Sequence, residues 1–91
     1  MIKTFKHKGL RKFFEKGDTR KLPVQNHDKV RTILAALNAA TQPGDMDLPG
    51  LRFHPLPPHA DLYSVWVNGN YRITFLWTAE GPVDVNIEDY H

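Results

Sequence analysis

Leu62-Tyr63-Ser64-Val65-Trp66-Val67-Asn68-Gly69-Asn70-Tyr71-Arg72-Ile73-Thr74-Phe75-Leu76-Trp77 carries the plainest structural signal in this sequence. Two runs rich in β-branched and aromatic residues flank Asn68-Gly69-Asn70, residue types that tolerate the left-handed backbone of a tight turn. A β-hairpin is expected, with strands over residues 62–67 and 71–77. Strand alternation then sets Tyr71, Ile73, Phe75 and Trp77 on one face, with Arg72 and Thr74 on the other. Four bulky apolar groups on one face must be buried, so Arg72 points away from that core. An arginine so placed is either an exposed cross-strand partner or a rigidly mounted guanidinium for a phosphate.

Downstream, Glu80-Gly81-Pro82 makes another turn, and Val83, Val85 and Ile87 alternate with Asp84, Asn86 and Glu88 as a further strand. Upstream, residues 51–56 suit a strand that Pro57-Pro58 cuts off. Before the Asp-, Pro- and Gly-rich loop at residues 43–50 the period changes. Val30, Ile33, Leu34, Leu37 and Ala40 mark one stripe of a helix with Asn26 as its N-cap, ended by Pro43-Gly44. Leu10, Phe13, Phe14 and Gly17 mark a shorter amphipathic helix from Lys8 to Lys16, ending at Gly17. Residues 19–24 form a basic connection broken by Pro23, and the two helices should pack as a hairpin. Residues 2–5 suit a short strand. The order is an N-terminal strand, a two-helix hairpin, then an antiparallel-rich sheet of about four strands, an α+β fold in one domain over residues 1–91.

Ninety-one residues leave little margin in the core, and 41% apolar content suits a globular chain rather than a disordered one. The absence of cysteine excludes a disulfide framework and a thiolate metal site, and no two of the five histidines have i, i+4 spacing. No metal or cofactor is called for. No targeting segment or membrane span is visible, so a cytoplasmic protein without membrane association is expected. The net charge of +2 conceals an asymmetry: ten cations against three acids make residues 1–31 +7, and two arginines against seven acids make the rest −5. Lys8, Arg11, Lys12, Lys16, Arg20 and Lys21 are candidates for gripping a polyanion, against the blander reading of a solvated surface.

Glu88-Asp89-Tyr90-His91 runs directly out of an apolar strand and ends in an aromatic and an imidazole. If the strand continues, Asp89 and His91 share a face, so the carboxylate can orient the imidazole, and Tyr90 points the other way. RNA cleavage without metal needs a base for the 2′-hydroxyl, a cation for the phosphorane and an acid for the leaving oxygen. His91 and Arg72 with one further group cover these roles, and Tyr90 can stack on an unpaired base.

The opening Met1-Ile2-Lys3-Thr4-Phe5-Lys6-His7-Lys8-Gly9-Leu10 resembles the start of HigB toxins, as does Phe14-Glu15-Lys16-Gly17 after it. The similarity recurs in Leu37-Asn38-Ala39-Ala40-Thr41, His54-Pro55-Leu56, Tyr71-Arg72-Ile73-Thr74-Phe75 and Glu88-Asp89-Tyr90-His91. The resemblance implies a RelE-like microbial ribonuclease fold and a ribosome-dependent endoribonuclease that cuts mRNA in the decoding site of the 70S ribosome. It also implies a HigA-type helix-turn-helix antitoxin as partner, with operator DNA bound only through the complex of the two. Of the family's active-site residues it implies His54, Arg72, Asp89, Tyr90 and His91. Many members carry lysine-glycine where this chain has Pro57-Pro58, which removes a cation and leaves His59 as the nearest substitute. ParE-like toxins share the fold but poison DNA gyrase, and are the leading alternative. An inactive nucleic-acid-binding module is the third reading.

Overall fold

A computed structural model describes residues 1–90. Helix α1 spans Lys8–Lys16 and α2 spans His27–Ala39; a 3-10 turn at Pro43–Met46 precedes strands β1 (His54–Pro55), β2 (Leu62–Trp66), β3 (Tyr71–Thr78) and β4 (Gly81–Asp89). The strands form one antiparallel sheet in the order β1-β2-β3-β4. This is the α+β arrangement expected from the sequence, with the helices on one face of the sheet.

Local chemistry explains the helix bounds. The His7 ring accepts from the Leu10 N–H (3.0 Å) at the start of α1, and Gly17, at φ 70°, closes its end in a conformation that costs glycine nothing. Asn26 caps α2 by accepting from the Lys29 N–H (3.2 Å), as its residue type suggests. The connection at residues 17–26 is longer than a tight link, but the helices do meet. Phe13 packs on His27 with ring centroids 6.0 Å apart, and the Arg31 guanidinium sits 5.2 Å over the Phe13 ring. Gly9 allows the connection to cross close by, because a Cβ there would stand 2.5 Å from the Lys21 Cβ.

Leu10, Phe13, Val30, Ile33, Leu34, Leu37 and Met46 meet Val65, Ile73, Phe75, Val85 and Ile87 in the core. Fully burying each such large apolar side chain contributes roughly 1.5–3 kcal/mol. Ile73 and Phe75 are indeed inward, and Tyr71 and Trp77 pack partly buried against the same core.

Three expectations need correction. Residues 2–5 lie parallel beside β4 with only one bridge, Phe5 to Val85, although Lys3 N–H donates to Pro82 O (2.9 Å) and Val85 N–H to Thr4 O (3.1 Å). A bulge in β4 prevents a longer ladder: Asp84 has φ 52° and turns its N–H onto Thr4 Oγ1 (2.8 Å). The same bulge pairs Leu76 with Val83 but Thr74 with Asn86, so Val83 faces away from the core side taken by Val85 and Ile87. Residues 51–56 do not form a full strand, because Gly50 (φ 81°) and Arg52 (φ 49°) are left-handed and only His54 and Pro55 pair. No helix among the described residues is long and apolar enough to cross a membrane.

Candidate active site

The sheet register builds the site on the face away from the helices. Two rungs cross it: His54-Ser64-Thr74-Asn86 and, beside it, Trp66-Arg72-Glu88. Because directly paired residues share a face, these side chains project together. Arg52, His54, Ser64, Trp66, Arg72 and Tyr90 line a pocket there.

The positions of His54 and Arg52 are linked. His54 Nδ1 lies 2.7 Å from the Arg52 carbonyl, which can only accept, so that nitrogen carries the proton. In the neutral ring Nε2 is then an acceptor, and it receives the Ser64 hydroxyl at 3.2 Å. The left-handed backbone of Arg52 therefore fixes the tautomer of the imidazole and leaves its basic nitrogen on the pocket side, against Ser64.

Arg72 is held from two directions. Its Nε is 3.6 Å from Glu88 Oε1, and its guanidinium carbon lies 5.5 Å from the Tyr90 ring centroid. The Tyr90 hydroxyl accepts from the Trp66 indole N–H at 2.9 Å, and the Tyr90 backbone N–H donates to Asn70 O at 3.1 Å. Buried Arg72 Nε has no hydrogen-bond partner among the described residues. The pocket thus offers a planar cationic fork beside an aromatic ring and a tautomerically defined imidazole.

Of the five expected active-site residues, His54, Arg72 and Tyr90 come together. Asp89 pairs in register with Tyr71, on the opposite parity from Arg72, and is not among the described residues lining the pocket. His91 lies outside the described residues. None of Lys8, Arg11, Lys12, Lys16, Arg20 and Lys21 lines the pocket either. Arg20 is tied to Asp18 through two side-chain hydrogen bonds (3.0 and 2.9 Å), and Arg11 lies 4.0 Å from Glu15. That Arg20 contact holds the Asp18 carboxyl well below the usual carboxylate range. His59 lines a neighbouring depression on the same sheet face with Thr74, Asn86 and Glu88, and does not enter the Arg72 pocket.

Residues 3–91 match the family described as RelE-like toxin of type II toxin-antitoxin system HigB. The chain belongs to the HigB family. It is 41% identical to the protein named endoribonuclease HigB of Proteus vulgaris, over the full length of both chains. Membership makes it the toxin half of a two-component system whose other half is an antitoxin, and lends no support to the gyrase-poisoning alternative.

Sequence reasoning missed Arg52, Ser64, Trp66 and Glu88 as neighbours of Arg72. Ser64 and Trp66 share a parity within β2, and the hairpin loop fixes which of them faces Arg72. Asn68 Oδ1 sets that loop by accepting from the N–H groups of Asn70 (2.8 Å) and Tyr71 (2.9 Å). Arg52 left no such signal, since nothing in its neighbourhood marks a left-handed arginine.

Proposed function

We propose that this HigB-family toxin is a ribosome-dependent endoribonuclease that cuts mRNA in the decoding site without a metal or cofactor and so arrests translation and growth. The observation that carries the reading is Arg72, whose buried Nε has no hydrogen-bond partner among the described residues, in a pocket shared with His54 and Tyr90. The name of the Proteus vulgaris relative supports the reaction class.

In this reading the 2′-oxygen attacks the adjacent phosphorus and the P–O5′ bond breaks, leaving a 2′,3′-cyclic phosphate and a 5′-hydroxyl. Arg72 meets the charge that accumulates on the non-bridging oxygens, where a preorganised cation is worth most. His54 and His91 exchange the two protons, one leaving the 2′-hydroxyl and one reaching the departing oxygen. Tyr90 stacks on the unpaired base, and Asp89 steadies His91. Lys8, Arg11, Lys12, Lys16, Arg20 and Lys21 contact ribosomal RNA phosphates. The antitoxin is of the HigA helix-turn-helix type, and operator DNA is bound through the toxin–antitoxin complex. The protein works in the cytoplasm.

The test is incubation of the toxin with 70S ribosomes programmed with a defined mRNA, beside a gyrase supercoiling assay. Cleavage within the decoding-site codon, only when ribosomes are present, is the expected result. Supercoiling inhibition with intact mRNA would reverse the reading.

A further inference from the structure

Trp66 gathers two cations that the cleavage chemistry does not use. Lys29 Nζ lies 4.5 Å from the indole centroid and Arg52 Cζ lies 4.8 Å from it. Among the described residues, neither cation forms an ion pair, although Arg11, Arg20, Arg31 and Arg72 all do. Two like charges on one ring repel each other, and the quadrupole of the indole offsets part of that repulsion.

The placement of each cation is also locally unfavourable. Lys29 stands in the first turn of α2, where the helix dipole disfavours positive charge. Arg52 is left-handed, a conformation strained for a residue with a Cβ. Its neighbour Leu51 is anchored by the Trp66 N–H donating to the Leu51 carbonyl at 2.6 Å. The indole itself is fixed by its bond to Tyr90 Oη. A rigid aromatic wall thus holds Arg52, which lines the pocket with Trp66, Arg72 and Tyr90, and Lys29, which reaches the same ring from α2.

We propose that Lys29, Arg52 and Trp66 form a second RNA subsite continuous with the Arg72 pocket, which takes an mRNA backbone phosphate flanking the one that is cut. The subsite rests on the reading of the pocket as the place where mRNA is cleaved. An anion there relieves the repulsion between the cations, and the indole edge supplies a surface for ribose or base. The subsite holds the strand and does no chemistry, so its loss acts on binding.

The experiment uses Lys29→Gln and Arg52→Gln, with Lys29→Arg and Arg52→Lys as charge-conserving controls. Cleavage is followed on programmed 70S ribosomes with the toxin in excess. Each neutralisation should raise the half-saturating concentration roughly two- to fivefold, as for an exposed ion contact. Lys29→Gln should leave the maximal rate unchanged, whereas Arg52→Gln is read by binding alone, because the Arg52 carbonyl also holds His54. Each neutralisation should also reduce the slope of log affinity against log salt by about 0.7. The charge-conserving variants should retain wild-type behaviour. Equilibrium binding is measured in parallel on ribosomes whose decoding-site codon is 2′-O-methylated and on ribosomes with an empty decoding site. Weakening confined to the occupied ribosomes supports the subsite. Equal weakening on both assigns the cations to ribosomal RNA and overturns it, as does unchanged binding or an effect confined to antitoxin affinity. If the wild-type protein cut nothing, the proposed activity would fail, while the occupied-versus-empty difference would still decide the subsite.

Discussion

Arg72 Nε faces Glu88 Oε1 at 3.6 Å across the β3–β4 rung, close enough for charge attraction and too far for a hydrogen bond. Leaving a buried donor unmade costs about 1–3 kcal/mol. On the proposed reading, a phosphate oxygen entering the pocket would give this donor the partner it lacks among the described residues. Glu88 holds the guanidinium without consuming its donor.

Arg72→Ala is therefore expected to lower cleavage on programmed ribosomes by roughly 10²–10³-fold, the usual loss when a charge-stabilising donor is removed. Thermal stability should hold or rise, because the unsatisfied donor goes with the side chain. Arg72→Lys should recover little, since an ammonium cannot reproduce the fork. A folded Arg72→Ala protein that cut mRNA at the wild-type rate would take Arg72 out of the site.

Ser64→Ala tests the proton relay at His54. It removes the hydroxyl that meets Nε2 but leaves the Arg52 carbonyl on Nδ1. One hydrogen bond of about 0.5–1.5 kcal/mol corresponds to a two- to tenfold loss in rate. His54→Ala should cost more, and Ser64→Ala on top of it should add nothing. Additive losses in the double variant, measured as single-turnover rates, would show that the two side chains act separately.

His91→Ala is expected to abolish growth arrest on induction while the protein stays folded by circular dichroism. Pro57 can supply no charge, which on the proposed reading leaves the proton transfers to His54 and His91. An imidazole can both accept and donate a proton, so loss of either histidine should remove one of the two transfers. Undiminished toxicity of His91→Ala would exclude the C-terminal histidine from catalysis.

The six basic residues of α1 and the connection should not contribute equally to ribosome binding. Replacing Lys8, Lys12, Lys16 and Lys21 together by Glu is expected to weaken ribosome association and flatten its salt dependence. Replacing Arg20 and Asp18 together by Ala should change it least, because the pair carries no net charge. The Asp18 carboxyl is held low by its Arg20 hydrogen bonds, so the pair is intact above the ordinary aspartate value of about 4 and is lost only as pH falls well below it. Sedimentation with ribosomes across a salt series reads both effects. A loss on removing the pair equal to that on removing a single lysine would refute the compensation.

Trp66→Phe keeps an aromatic wall but removes the donor to Tyr90 Oη. The loss should match that of Tyr90→Phe, and the double variant should be no worse than either, since both singles break one bond. Cleavage rates of the three variants form the cycle. Independent, additive losses would mean that the bond does not orient Tyr90.

The hairpin around Asn68-Gly69-Asn70, both helices, the Asn26 cap and the outward direction of Arg72 were legible in the sequence, because each depends on local geometry and the period of apolar residues. So was the family, through motifs spread over the whole chain. Cross-strand register was not legible: the neighbours of Arg72 on β2 and β4 are set by how the Asn68 turn closes and by the extra residue at Asp84. The left-handed Arg52, whose carbonyl fixes the His54 tautomer, packs its guanidinium on Trp66, a residue of another strand that lies distant in sequence. Tyr90 could have faced either way at the end of β4, and only pairing with β3 put it over Arg72 and left Asp89 opposite Tyr71. Periodicity tells which side of a strand a residue takes; which residues it meets there depends on hydrogen bonds between strands, and those exist only in the folded chain.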